Sequence, residues 1–368
     1  MKIKLMPTLL CFVTNYNILG ALYDESLSAD KRLTKIVKLK LPYPVFSPNY
    51  SDVWESVYNE LLLRFDLKVP VKTIVVCHSL GFWFDHIKGK NLKKIPAEKA
   101  FTEFNIPVVY LGEDRFYSMG GALEFNIDSR QVFKWFDFEE STQNVENFLA
   151  NSFLYGNFPA DSVWEKSFEN ALLREKMQFA FKNSALDFLD TVEEIYLSGE
   201  FLYKYEDTQE LLLNFLNSVN ITGFWHLYFD KHDVLGFLVG LYGEKKENVL
   251  EFLDEYKFKH IADVFVVPSV SSARVSFEDG KEQVLDLSYE GVYLIPSIKE
   301  EDVGIKLKLK KRVFEKTLSK SEFGIVFDTR KRPLVFSDSR NERFTLRDSL
   351  RKQLGGWKMD EGSSSESN

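Results

Sequence analysis

Residues Thr8–Glu25, TLLCFVTNYNILGALYDE, contain two apolar, β-rich runs on either side of a short turn at Thr14–Asn17. This pattern predicts a β-hairpin. In one large class of phosphate-handling domains, such an opening hairpin carries a carboxylate near the end of its first strand and a glycine that lets backbone amides reach a phosphate. Here the first strand ends in Phe12-Val13, and the turn contains neither an acid nor a glycine. The hairpin therefore predicts a scaffold without that chemistry.

The composition is typical of a globular protein with sizeable cores. The 368 residues suffice for two or three domains, and 45% of them are hydrophobic. The formal net charge of −8 provides no basic field for nucleic acid. Cys11 and Cys77 both lie in apolar, strand-like runs, which predicts two buried thiols in a reducing compartment.

The first thirteen residues imitate a signal peptide, because lysines precede a short apolar run. However, the run is interrupted by Pro7 and continues into a strand pattern without a small-residue cleavage site. No run in the chain approaches the roughly 20 apolar residues of a membrane-spanning helix. These features predict a cytoplasmic protein without a membrane span.

The chain twice shows a strand meander followed by a helix and a strand. In the first unit the hairpin is followed by a strand at Leu33–Pro42, a helix at Asp52–Lys68 and a buried strand at Val71–Ser79. Between the units, the basic run Lys88–Lys94 is expected to form a solvated loop. The second unit opens with a hairpin of Ile106–Glu113 and Arg115–Asn126. Its further predicted elements are a strand at Gln131–Phe138, helices at Thr142–Phe153 and Val163–Ser184, a strand at Val192–Leu197, a helix at Leu211–Val219, a strand at Thr222–Phe229 and helices at His232–Tyr242 and Lys246–Tyr256.

Beyond about residue 263, short strands recur at regular spacing, which predicts a small β-rich module, followed by a short helix at Leu346–Leu354 and a disordered polar tail. An internal duplication of this form is the layout of the actin-like ATPase superfamily, in which two related halves clamp a nucleotide. We therefore expect an α/β fold with duplicated, ribonuclease H-like halves. The predicted segments are a first half at 1–105, a second half with a helical insert at 106–260, a β-rich module at 261–357 and a tail at 358–368.

Several stretches together resemble the MutL family, the actin-like proteins associated with cobalamin-dependent glutamate mutase and unrelated to mismatch repair. The hairpin stands where that family has its first phosphate loop, and Phe323–Phe336, FGIVFDTRKRPLVF, is similar to its Asp-x-Arg-Gly-Arg-Pro-Leu signature, with Lys331 in place of glycine. Three further stretches resemble the family in the same order: the helical insert Val145–Glu175, the strand before the adenosine loop at Glu193–Leu202, and the helix-strand-Asp-helix segment Leu211–Leu241.

The departures from that family affect its phosphate-binding loops. In the first phosphate loop, the family's acid and glycine positions hold Phe12 and Thr14. In the second loop, the family has an acid two residues before a glycine pair. No alignment of Gly112 or Gly120-Gly121 restores that acid, and one such alignment places Ser118 at its position. At the adenosine loop, Glu200 introduces bulk and negative charge beside an anionic ligand. A Mg-triphosphate needs charge compensation and close backbone approach. These substitutions predict a relative that has lost ATP hydrolysis, with no catalytic, cofactor-binding or metal residues.

The surviving signature supplies the candidate docking residues Asp328, Arg330 and Arg332. One hypothesis is that an arginine fork presents a docking site for a carboxylate or phosphate. The alternative hypothesis, which we favour, is that these residues form an internal ion pair that stabilises a turn.

The histidines give only weak signals. His78 and His86 are eight residues apart without a third ligand nearby, which argues against a metal site. His226 has Asp230 and His232 close in sequence, as a proton relay would, but no nucleophile lies in the segment. A core histidine bonded to a neighbour is the favoured interpretation.

The sequence thus favours a non-catalytic, cytoplasmic interaction or scaffold protein whose partner is another protein. One alternative is an ATP-dependent reactivating chaperone for a cobalamin-dependent mutase, which would bind ATP and Mg²⁺; another is an assembly platform of an envelope machine. We also expect the two halves to be closed over each other, because Phe12, Tyr16, Tyr110 and Met119 stand at turn positions where exposure would be costly. At least two of these side chains should be buried at the seam.

Overall fold

The computed structural model describes residues 7–14, 17–28, 31–41, 50–67, 71–78, 83–104, 106–112, 114–136, 140–154, 162–183, 192–202, 205, 207–256, 258–268, 270, 272–277, 282–296, 303–309, 312–318, 320–332 and 334. The first half is built on a five-stranded sheet and two helices. Its elements are β1 Thr8–Val13, β2 Asn17–Tyr23, β3 Leu33–Lys40, α1 Tyr50–Arg64, β4 Thr73–Cys77, β5 Leu92–Pro96 and α2 Ala97–Phe104.

The strand order of the first sheet is β3-β2-β1-β4-β5. The β1–β2 and β2–β3 pairs are antiparallel, and the β1–β4 and β4–β5 pairs are parallel. Every residue of β1 and β4 is buried, as expected for central strands covered on both faces. Helix α1 covers one face through Trp54, Tyr58 and Leu61.

The second half repeats this arrangement in an eight-stranded sheet. Its elements are β6 Val108–Leu111, β7 Arg115–Ser118, β8 Gly121–Glu124, α3 Ser129–Phe133, α4 Thr142–Leu154, α5 Val163–Asn183, β9 Glu194–Ser198, α6 Thr208–Ser218, β10 Gly223–Phe229, α7 Val234–Tyr242, α8 Lys246–Glu255 and β11 Lys259–Val266. Strands β8-β7-β6-β9-β10 match β3-β2-β1-β4-β5 in order and direction. The predicted actin-like, ribonuclease H-like duplication is therefore confirmed by the topology.

The remaining strands are shared between two sheets. They are β12 Ser272–Phe277, β13 Glu282–Asp286, β14 Val292–Ile295, β15 Val303–Leu309, β16 Arg312–Leu318 and β17 Ile325–Asp328. Strands β11, β17 and β14 extend the eight-stranded sheet, whereas β13-β12-β15-β16 form a separate four-stranded sheet. The β-rich region expected from residue 261 onward is thus divided, because β11, β14 and β17 add to the sheet of the second half. The helix at Leu346–Leu354 and the polar tail lie outside the described residues.

Three local predictions are wrong. The expected strand at Gln131–Phe138 begins as helix α3, whose N-terminus is fixed by a capping box in which Asp128 and Gln131 bond each other's backbone amides. The expected loop at Lys88–Lys94 runs into edge strand β5, and Arg115–Asn126 contains two strands, β7 and β8. Among the described helices, none is both long and apolar enough to cross a membrane.

The two halves share one apolar core. Buried side chains of β1 and β4 in the first half pack with α2, with β6 and β7, and with α7, all nine residues of which are buried. Gly240 of α7 lies so close to β4 that a Cβ there would stand 2.4 Å from Val76 Cγ2. The halves are therefore packed directly against each other along α7.

Candidate functional site at the seam between the halves

The turn of the first hairpin is bonded to a carboxylate of the second half. The backbone N–H of Thr14 donates to the carbonyl of Asn17 at 2.9 Å, which closes the turn. The Thr14 hydroxyl and the Asn17 side-chain amide each donate to Oε2 of Glu200, both at 2.9 Å. Asn17 is 0% and Glu200 3% exposed. This group, in which Thr14 is half-buried and Asn17 and Glu200 are buried, is called the Glu200 latch below.

The backbone on either side of the latch is held tightly. Gly199 has a φ of +123°, and a Cβ there would lie 2.3 Å from the carbonyl oxygen of Leu111, so only glycine fits. The N–H of Phe201 donates to the same carbonyl at 3.1 Å. The loop that carries Glu200 is consequently fixed against the end of β6, with its carboxylate directed at the first hairpin.

The turn of the second hairpin is held by a buried lysine. Lys176, on α5 and 3% exposed, donates from Nζ to the Gly112 carbonyl at 3.2 Å. Its ammonium also lies 3.6 Å from the centroid of the Phe201 ring, in a cation–π contact. The positive charge at this turn is thus engaged by backbone and aromatic groups.

Aromatic rings fill the space between the hairpins. The Phe12 and Tyr110 rings, 1% and 0% exposed, lie 4.9 Å apart, and the Phe101 and Tyr117 rings stack beside them at 5.1 Å. The prediction that at least two of the four named side chains are buried at the seam is confirmed by Phe12 and Tyr110. Met119 instead packs, half-buried, on the core of the second half, and Tyr16 lies outside the described residues.

Two buried carboxyl groups lie deeper in the seam. Asp230 accepts the N–H groups of Val234 and Leu235 at 3.0 and 2.8 Å and so caps the N-terminus of α7. Asp233, 2% exposed, accepts the Tyr110 hydroxyl at 2.9 Å. Ser198 Oγ lies 2.9 Å from Asp230 Oδ2 and 3.2 Å from Asp233 Oδ1.

The electrostatics of this pair favour a neutral Asp233. Burial, then the neighbouring charge of Asp230, raises the pKa of Asp233 to about 8. Ser198 has one proton, so when it donates to Asp230 its contact with Asp233 requires a proton on the Asp233 carboxyl. Burial also raises the pKa of Asp230, although the hydrogen bonds from the helix N-terminus act against it.

A small cavity lies beside the latch, lined by residues that include Thr14, His78, Gly112, Arg115 and Glu200. Its volume of about 20 Å³ is room for a single water molecule. Arg115 Nη1 stands 3.2 Å from His78 Nε2, and burial, followed by the Arg115 charge, lowers the pKa of His78. His86 packs on the Tyr50 ring instead, so the structure does not bring His78 and His86 to one site.

No protein-family model and no curated protein matches the sequence. Solved structures show what the fold is similar to. A ROK family glucokinase from Streptomyces griseus, in complex with glucose and AMPPNP, is 12% identical; the match covers 64% of this chain and 97% of that one, with a TM-score of 0.38. The ethanolamine utilization protein EutJ from Carboxydothermus hydrogenoformans is 11% identical over 64% and 90% of the two chains, with a TM-score of 0.35.

A ROK family transcriptional regulator, a homologue of the E. coli MLC protein, is 9% identical over 67% of this chain and 79% of its own, with a TM-score of 0.32. The ROK sugar kinases and EutJ are members of the actin-like ATPase superfamily. The likeness to all of them is one of fold alone.

The predicted docking residues lie at the far end of β17, against the C-terminus of α6. Asp328 is 0% exposed and accepts a two-pronged bond from Arg330, with Nε to Oδ1 at 2.9 Å and Nη2 to Oδ2 at 2.6 Å. Arg330 Nη1 donates to Asn217 Oδ1 at 3.0 Å, and Arg332 Nη2 donates to Asp328 and to the carbonyl of Leu216. The structure brings all three together as a buried network, and the docking hypothesis stays a prediction.

One cluster was missed by sequence reasoning. His226 does not meet Asp230 or His232 as a relay would; it lies opposite Asp263 of β11, with His260 beside both. The partners are 34 and 37 residues away in sequence, and the strand bulge that aligns them leaves no pattern in the sequence.

Proposed function

We propose that this chain is a non-catalytic, cytoplasmic interaction protein, a degenerate relative of the MutL-like actin-type ATPases whose partner is another protein. The observation that carries the proposal is the Glu200 latch. In that family the two hairpin turns would hold a triphosphate between them. Here a carboxylate from the adenosine-loop position is buried between the turns and bonded to Thr14 and Asn17.

The charge at the latch argues against a bound triphosphate. A nucleotide phosphate placed there would meet the Glu200 carboxylate, which repels it, and would have to displace two buried hydrogen bonds. The neighbouring cation, Lys176, is engaged with the Gly112 carbonyl and the Phe201 ring. The position therefore favours a stable closed seam over nucleotide exchange.

The packing of the halves supports the same proposal. Enzymes that close around a substrate must open to exchange it, which requires a seam that parts at low cost. The seam here buries Phe12 and Tyr110, and each such aromatic contributes about 1.5–3 kcal/mol when removed from water. Opening the seam would expose these rings at that cost, which favours a scaffold that stays in one conformation.

The test is a thermal-shift titration of the intact chain with Mg-ATP and Mg-ADP up to millimolar concentration. We expect a negligible change in melting temperature. A ligand at 100 times its Kd would stabilise the fold by about 2.7 kcal/mol, a shift of several degrees. A saturable shift of that size would overturn the proposal and favour the ATP-dependent chaperone.

A latch variant sharpens the test. Glu200→Gln removes the negative charge and retains the shape of the side chain. If the carboxylate alone blocked a functional site, this variant would gain a nucleotide-dependent shift that the wild type lacks, which would also contradict a non-catalytic scaffold. We expect both proteins to be unresponsive.

A further inference from the structure

His226, His260 and Asp263 meet on one face of the eight-stranded sheet because of a β-bulge. Asp263 lies directly opposite His226 in the antiparallel β10–β11 pair. Residues three apart on a strand normally point to opposite faces, so His260 would face away from Asp263. The register shifts between Leu227 and Tyr228, which pair with Ala262 and His260, and the bulge turns His260 to the same face.

The three side chains converge on one point. His226 Nδ1 lies 2.5 Å and His260 Nε2 lies 3.1 Å from Oδ1 of Asp263, and the three ligand atoms lie within 4.8 Å of one another. Ligand atoms around a tetrahedral Zn²⁺ with bonds of about 2.0–2.1 Å stand about 3.3 Å apart. The 3.1 Å distance from His260 Nε2 to Asp263 Oδ1 is already close to that spacing, whereas the 2.5 Å distance from His226 Nδ1 lengthens when an ion enters.

The contact of His260 with a backbone carbonyl orients its ring toward the carboxylate. His260 Nδ1 lies 3.2 Å from the carbonyl oxygen of Lys320, which only accepts, so this nitrogen carries the proton. The other ring nitrogen, Nε2, faces Asp263 Oδ1 at 3.1 Å and is the one placed to bind a metal. A backbone carbonyl behind a ligating histidine is a usual orienting partner.

Burial and charge at the cluster also favour a cation. Asp263 is 1% exposed, and its second oxygen, Oδ2, is buried without a hydrogen-bond partner among the described residues. The His226 and His260 side chains are 14% and 10% exposed, which leaves a route for an ion and for water.

We propose that His226, His260 and Asp263 form a binding site for a divalent transition metal of the Zn²⁺ class. Two imidazoles and one carboxylate supply three ligands, and water completes the shell on the exposed side, as in sites that keep an open position. The site is on the face of β10 opposite the α5 and α6 core and is independent of the Glu200 latch.

The experiment is a titration of the EDTA-treated, intact chain with Co²⁺, followed by Zn²⁺ competition and metal analysis. We expect one equivalent of Co²⁺ with a visible d–d spectrum, displaced by Zn²⁺. We expect no thiolate charge-transfer band, because Cys11 and Cys77 are buried. His226→Ala and His260→Ala should each weaken binding at least about tenfold. The matched control, His232→Ala, removes an exposed histidine of the same half and should bind as the wild type does.

A third variant, Asp263→Asn, alters a buried side chain and could fail to fold. Circular dichroism of each variant checks the fold, and metal binding is compared only among variants that fold. Uptake by the wild type no greater than by the His226→Ala/His260→Ala double variant would overturn the proposal. A second pair of results would also overturn it: an NMR spectrum in which both imidazole rings are protonated near neutral pH, and a melting temperature that changes with neither Zn²⁺ nor EDTA. The cluster would then hold protons in place of a metal.

Discussion

At the scale of single residues, the seam is held by polar side chains that come from distant parts of the sequence. Thr14, Asn17 and Glu200 are short or acidic residues that sequence reasoning could place at the loops but not against each other, because 183 or more residues separate Glu200 from its two partners. The bulk and charge of Glu200 at the adenosine loop were anticipated. That its carboxylate is bonded to the hairpin turn follows only from the three-dimensional structure.

Asp233 yields a prediction about pH. Its pKa is about 8 in the folded chain and near 3.9 when unfolded, so the folded state binds the extra proton between these values. Its contribution to stability is complete below about pH 4 and is lost as the pH rises through about 8. Asp233→Asn, which also suits the left-handed backbone at φ +57°, should raise the melting temperature by several degrees at pH 8 and progressively less toward pH 4.

The measurement is a series of thermal melts from pH 4 to pH 9. Asp254→Asn, on the exposed face of α8, is the control and should leave the pH dependence unchanged. A parallel offset of the Asp233→Asn melting curve at every pH would contradict a titrating Asp233.

At the scale of elements, the sequence predicted those with a clear periodicity and missed those fixed by local detail. The hairpin β1–β2, the long helix α5 and strand β10 were predicted within a few residues. The segment that forms helix α3 was predicted to begin a strand, although the Asp128 and Gln131 capping box signals a helix start. Strand β5 was missed because an edge strand rich in lysine resembles a solvated loop.

The Asp328 network makes a prediction about how β17 holds α6. Arg330 uses its guanidinium fully on Asp328, Asn217 and Leu216, so Arg330→Ala should cost about 3–5 kcal/mol of unfolding free energy. Arg332→Ala should cost about 1–3 kcal/mol, which is less than Arg330→Ala, because Nε and Nη1 of Arg332 are buried without partners among the described residues. Burial likewise lowers the pKa of Arg332 to about 10.

Urea denaturation of both variants measures the difference. Lys331→Ala is the matched control, since the Lys331 side chain is 84% exposed and its ion pair with Glu290 lies in solvent, where such pairs contribute little to stability. Equal costs for Arg330→Ala and Arg332→Ala would contradict the predicted order. Loss of a captured protein partner at unchanged stability would instead assign the network a docking role.

At the scale of the whole molecule, the duplicated topology was accessible from the sequence because each half repeats a meander, a helix and a strand. The division of the C-terminal strands between two sheets was not, since short alternating strands look alike whichever sheet they join. The cluster of His226, His260 and Asp263 and the shared apolar core depend on contacts between distant segments. These contacts decide whether the halves move as one body or two.

The shared core predicts that the two halves unfold together. Gly240→Ala places a Cβ 2.4 Å from Val76 Cγ2 and forces α7 away from β4, which should cost about 1–3 kcal/mol. Because α7 packs on both sheets, hydrogen exchange should accelerate in β1 and β4 as well as in α7.

Gly243→Ala, at the end of the same helix, is the control: it adds a Cβ whose nearest contact among the described residues is Glu103 at 4.0 Å, and it should leave stability nearly unchanged. Calorimetry should show one transition in all three proteins. Two separate transitions in the wild type, or acceleration confined to one half in Gly240→Ala, would mean that the seam is a hinge.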